Sequence, residues 1–139
     1  MTGIEVPRDH AGLEELSEAE CLTLAAGQPV GRLAFSDGDR IEVLPVNHVV
    51  VDGMVAFRSA EGSKLGAATE GAAVAFEVDE YDARRHKGWS VVVKGHLTAV
   101  SSPTVLALLR ASRLQPWRNR LPRPVWLVVE PDVVTGRRL

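Results

Sequence analysis

The stretch FRSAEGSKLGAA, residues 57–68, gathers two cations and two hydroxyls in a short span: Arg58, Ser59, Ser63 and Lys64. An apolar run precedes it and small, helix-favouring residues follow, so a short helix is expected over Gly62–Thr69, opened by Gly62-Ser63 and closed by Gly71. A helix N-terminus carries unpaired backbone N–H groups and a partial positive charge. With serine hydroxyls and two cations beside it, the group such chemistry would hold is a phosphate. The spacing is not that of a Walker A loop, because Phe57, not glycine, stands five residues before Gly62, and nucleoside triphosphate hydrolysis is not indicated. These residues allow a second reading, a solvated loop in which Ser63 does no more than cap the helix.

Other chemistry-bearing residues are dispersed. Trp89 and Ser90 in GWSVVV stand at the start of a strand beside Gly88, where a rim aromatic either covers a planar ligand or packs in a core or interface. Trp126, alternating with apolar neighbours in VWLVV, reads as packing, and Trp117 lies in the basic, proline-rich QPWRNRLPRP. His10, His48, His86 and His96 share no ligand spacing, so no metal site is expected. Glu77, Asp79, Glu80 and Asp82 in FEVDEYD read as a solvated strand edge. Ser63 directly follows a glycine and no G-x-S-x-G elbow exists, which removes the usual hydrolase signature. Cys21 faces the buried side of a helix and reads as core. No side chain presents itself as a general acid or base.

The elements that must position these residues follow from pattern. At 139 residues, net charge −2, 45% hydrophobic and 24% charged, the chain is an ordinary globular domain rather than a disordered or polyanion-binding one. No nucleic-acid partner is expected despite Arg110, Arg113, Arg118, Arg120 and Arg123, since no recognition motif accompanies them. A lone cysteine excludes an internal disulfide and suits a reducing, cytoplasmic setting. Neither a cationic leader followed by an apolar segment nor an 18-residue apolar run occurs, so neither secretion nor a membrane partner is expected.

Residues 1–12 are polar and without period, a poorly ordered lead-in to one domain over 13–139. Ser17, with Glu20 three residues on, opens a short helix that stops at Gly27. Strands are expected near 30–36, 41–51 and 54–58, punctuated by the hairpin dipeptides Asp37-Gly38 and Asp52-Gly53. A fourth follows in AAVAFEVDE, a fifth over about 88–101 with Gly95 as a bulge or bend, and a last one in VWLVVEPDVVTGRRL, interrupted at Pro131. Between the last two, Ser102 and Pro103 open a helix to about Arg113. The fold class is α+β, a mostly antiparallel six-stranded split β-barrel with short flanking helices, because hairpin turns outnumber possible crossover helices.

The order VGRLAFSDGDRIEVLPVNHVVVDGMVAFRSAEGSKL, then VAFEVDEYDARRHKGWSVVVKGHL, resembles the pyridoxamine 5′-phosphate oxidase-like, FMN-binding split-barrel family in its short actinobacterial-type form, from about Leu16 to the final VTGRRL. The resemblance implies that Arg58, Ser59, Ser63 and Lys64 hold the flavin phosphate, in a groove between the subunits of a homodimer. It implies that Pro45, Val46 and Asn47 run along the isoalloxazine side, and that Trp89 and Ser90 approach the flavin, often from the partner chain. The implied activity is flavin-dependent oxidoreduction of a small molecule. Similar barrels take a deazaflavin or haem, with His48, His86 or His96 as the axial ligand to test, and others serve as non-catalytic flavin-binding or interaction modules. Two departures stand out. The only Arg-x-His spacing, Arg84 and His86, lies before the Trp89 strand rather than near the C-terminus, so oxidation of vitamin B6 itself is not implied; and His48 replaces a more usual aromatic.

Overall fold

The computed structural model describes residues 6–60, 71–112 and 124–139. The expected helix over Gly62–Thr69, and with it Ser63 and Lys64, lies outside the described residues, as does Trp117. Among the described residues the chain forms β1 (Glu14–Glu15), α1 (Glu18–Ala26), β2 (Val30–Asp37), β3 (Arg40–Asn47), β4 (Val49–Val51), β5 (Met54–Ala60), β6 (Ala73–Asp82), β7 (Lys87–Ala99), α2 (Pro103–Arg110) and β8 (Pro124–Arg138). All strand pairings are antiparallel.

Hydrogen bonds run through the sheet in the order β3-β2-β6-β7-β8-β5-β4, with β1 added to β8. The two ends of that path, β3 and β4, are consecutive in the chain and separated only by His48. The sheet therefore curls until its ends meet in one bent segment, which pairs with β2 by its first half and with β5 by its second. Counting that segment once and setting aside the two-residue β1 leaves the expected six strands of a split β-barrel. The expectation of one unbroken strand over 41–51 needs correction: the His48 N–H extends the β2–β3 register by donating to the Pro29 carbonyl, 3.1 Å away, but Pro29 has no N–H to return the bond, and from Val49 the chain pairs with β5 instead.

Local chemistry explains the turns. Asp52 and Gly53 both take positive φ, 52° and 73°, as a two-residue turn between Val51 and Met54 favours. The other tight turn centres on Gly38-Asp39, one residue later than expected, with Gly38 at φ 64°. Ser17 and Glu20 form the full reciprocal capping box of α1. Pro131 does not interrupt β8. The strand continues across a bulge where Gly95 of β7 meets Pro131, and a side chain at Gly95 would collide with the Glu130 carbonyl.

Strand alternation fills the interior with Leu33, Phe35, Val55, Phe57, Phe76, Val78, Val91, Val93, Leu97 and Val129, all buried. Helix α1 lays Cys21 and Ala25 onto this core, and Gly136 lets it approach, since a Cβ there would strike the Cys21 sulfur. A second, smaller cluster lies on the outer face, where Leu109 of α2 packs with Ala56 and Val128 against Met54, Val105 and Trp126. Helix α2 ends at Arg110, a turn earlier than expected. Among the described residues no helix is long and apolar enough to cross a membrane.

Candidate functional site

The end of β5 carries the first half of the candidate site. Alternation turns Val55, Phe57 and the buried Ser59 toward the interior and leaves Ala56 and Arg58 on the outer face. Arg58 pairs in register with Trp126 of β8, and its guanidinium lies 5.4 Å from the centroid of the indole ring. At that distance the ring's negative face attracts the cation. The Arg58 Nε is buried yet has no hydrogen-bond partner among the described residues. A buried donor of this kind asks for an acceptor. Trp126 thus joins the site, although the alternating apolar run around it points only to packing; it does pack, against the α2 cluster, but its indole also serves as a shelf for a cation.

Pro45, Val46 and Asn47 lie at the end of β3, opposite Arg32, Gly31 and Val30 of β2. Val46 is buried in the core, so only its backbone is left to face a ligand, whereas Pro45 is exposed and Asn47 half-buried. The β4–β5 ladder ends at Val49↔Ala56, two residues from Asn47 on one strand and from Arg58 on the other, and β3 itself lies in contact with β5. The structure therefore brings this segment and Arg58–Ser59 to one region of the barrel seam.

Trp89 and Ser90 lie elsewhere. They pair with Glu80 and Asp79 on one side and with Arg138 and Arg137 on the other. On β7's side of the ribbon, the level of Trp126 is marked by the Val100 N–H, which donates to the Trp126 carbonyl at 2.9 Å. From Ser90 to Val100 the strand covers roughly 33 Å of contour at the usual rise. One chain thus holds two separate half-sites. Around Trp89 a cavity of about 350 Å³ is lined by Glu80, Asp82, Arg85, Lys87 and Arg138. Its cations come partly from the RRHK run between β6 and β7, the one local signal for it.

Among the titratable groups that the fold displaces, His48 and Glu77 lie in the barrel wall. His48 is 3% exposed, its Nε2 lies 2.8 Å from the Ala25 carbonyl, and its ring meets Phe76 edge-on at 4.7 Å. Burial pushes its pKa down, and the bond to Ala25 offsets only part of that. Both nitrogens of this ring face the protein interior, His86 sits in a turn at φ 51°, and His96 Nδ1 is 2.9 Å from Asp132. Glu77 departs from the expected solvated edge. It lies on an interior strand between Arg32 and Val92, and burial, then the hydrogen bond and charge of Asp79, raise its pKa to about 7. Among the described residues no three His, Cys, Asp or Glu side chains cluster to hold a metal.

With this geometry in view, comparison with known proteins settles the lineage. The pyridoxamine 5′-phosphate oxidase family model matches residues 17–138. The chain belongs to that family. Within it, an uncharacterized protein of Mycobacterium tuberculosis is 39% identical over 96% of this chain and 90% of its own length. Among solved structures, the FAD binding protein from Mycobacterium smegmatis superposes with a TM-score of 0.79 at 35% identity, covering 90% of this chain and 98% of that one. A putative pyridoxamine 5′-phosphate oxidase from Corynebacterium glutamicum gives the same TM-score at 31% identity, covering 91% and 98%.

Proposed function

We propose that this member of the pyridoxamine 5′-phosphate oxidase family binds a flavin nucleotide, FMN in the first instance, at a homodimer interface and uses it to oxidise or reduce a small planar substrate in the cytoplasm. One observation carries the reading: a guanidinium held on an indole face at the end of β5, with a buried Nε that has no acceptor among the described residues. These residues fit a phosphate ester. Ser63 and Lys64, a few residues on, complete the donor set. The 35% identical Mycobacterium smegmatis relative is itself named an FAD binding protein, which favours a flavin over haem or deazaflavin.

Arg58, Ser59, Ser63 and Lys64 hold the phosphate, while Pro45, the Val46 backbone and Asn47 flank the ring. Trp89 and Ser90 of a partner subunit close it. Two features favour the dimer. The half-sites of a single chain are separated by the length of β7, and the strand bearing Pro45 exposes Ile41 and Val43, 76% and 58% accessible, which call for apolar cover. The bound flavin supplies the redox chemistry; the protein supplies position, exclusion of water and charge.

The test is the visible absorption spectrum of the purified protein, followed through titration with FMN, FAD, the deazaflavin cofactor and haem, with mass measured by sedimentation. One FMN per subunit in a dimer is expected, followed by assay of reduction by nicotinamides. Preference for FAD would keep the flavin site and change the nucleotide. Binding of haem or deazaflavin alone, or of none of the four, would refute the assignment.

A further inference from the structure

Trp126 offers a phosphate no charge of its own, yet it is the residue that Arg58 touches. We infer that Trp126 is a positioning residue, whose indole face holds the Arg58 guanidinium at the end of β5 and so sets the site's preference for phosphorylated flavin over riboflavin. The inference rests on the flavin reading above and concerns the origin of its selectivity.

The geometry gives the shelf its rigidity. Arg58 and Trp126 are direct cross-strand partners, so their Cα separation is set by the ladder and both side chains leave the sheet on one face. Strand pairing holds the Trp126 backbone twice over, by its place opposite Arg58 and by accepting from the Val100 N–H at 2.9 Å. Its ring packs into the cluster formed by Leu109, Ala56 and Val128, so helix α2 braces the indole from behind.

An arginine on an open strand samples many rotamers, and ordering it on a ligand opposes binding. Stacking removes that freedom before the ligand arrives. It does so without using up a hydrogen bond, since a cation–π contact engages none of the guanidinium N–H donors. The buried Nε without a partner is what such an arrangement leaves behind. A carboxylate could hold Arg58 equally well, but would neutralise the charge that a phosphate needs; an indole does not.

The experiment measures dissociation constants of FMN and of riboflavin for the full-length protein and for Trp126→Leu, Trp126→Phe, Arg58→Gln and the double variant Arg58→Gln/Trp126→Leu. The readout is the ratio of the two constants, which a general loss of packing would not move. The Leu variant should lower the preference for FMN about three- to tenfold with riboflavin binding unchanged, and the Phe variant about twofold, following the order of cation–π strengths. On the Arg58→Gln background the Leu substitution should change the ratio no further. A ratio equal to wild type in both Trp126 variants, or equal weakening toward both ligands, overturns the inference while leaving the flavin assignment intact. Should the Leu variant not fold, the Phe variant decides alone. Absence of any FMN preference in the wild-type protein overturns the phosphate assignment itself, and the inference with it.

Discussion

His48 should make the fold sensitive to mild acid, in an amount the structure lets one work out. The ring sits where β3 passes into β4, 3% exposed, with Nε2 donating to the Ala25 carbonyl and Nδ1 buried with no hydrogen-bond partner among the described residues. Protonating it places an unpaired N–H and a charge in the interior, and no charged group among those shifting its pKa offsets this. The folded pKa therefore lies below 6.5, the value of a free imidazole side chain, to which the unfolded chain returns. Between these two values the unfolded state binds the extra proton, so stability from this group is complete above pH 7 and is lost as pH falls through 6.5 toward the folded pKa. The unfolded value of 6.5 caps the loss between pH 7 and 5.5 at about 1.3 kcal/mol. His48→Gln is the informative change, because the glutamine amide can still donate to Ala25 but does not titrate. Urea unfolding at pH 7.0, 6.5 and 5.5 should show the wild type losing stability relative to the Gln variant as pH falls, within that limit; taking the difference cancels the other titrating groups. Parallel stability curves would refute the reasoning, since they would mean that the folded protein accommodates the proton as readily as water does.

Two further outcomes follow from the barrel wall. Glu77→Gln should stabilise the protein at pH 8 and change little at pH 5: the raised pKa of about 7 means that the wild type loses stability as pH climbs from the usual carboxylate range through 7. With the side chain about one-third exposed, solvent screening reduces the gain to about 1 kcal/mol, measured by urea unfolding at the two pH values. Gly95→Ala should cost about 2–3 kcal/mol in the same assay, because the new methyl meets the Glu130 carbonyl and the Pro131 backbone, neither of which can rotate away.

Much of the barrel was legible because its determinants are local. Asp52-Gly53 carries its own positive-φ turn, Ser17 and Glu20 cap each other across three residues, and alternation in VAFEV assigns Val74, Phe76 and Val78 to one face. What escaped depends on the partner strand. The break at His48 arises because Pro29, opposite it in the β2–β3 register, accepts its N–H but has none to return, and β8 runs through Pro131 because its extra residue, Asp132, bulges between the partners of Lys94 and Gly95. The acidic run FEVDEYD reads as one solvated edge, yet β2 pairs with β6 only as far as Arg32↔Glu77; Glu77 is walled in and the later acids are not.

The same distinction governs the candidate site and explains why its two parts needed different arguments. Arg58 and Ser59 announce themselves by type and by adjacency to Ser63 and Lys64. Trp126, 68 positions further along, becomes their neighbour only through the β5–β8 register, and no local pattern distinguishes it from a core tryptophan. Trp89 poses the opposite problem: the family resemblance groups it with Arg58, while the antiparallel ribbon of β7 and β8 carries the two toward opposite ends. Both statements hold together if the ligand is shared between two chains, each offering the end that the other lacks. Substituting Trp89 should then weaken flavin binding without altering the preference for FMN over riboflavin, which belongs to the Arg58 end. Mixing a Trp89→Ala chain with an Arg58→Gln chain should restore one intact site per heterodimer, whereas a site built within one subunit would stay broken in both.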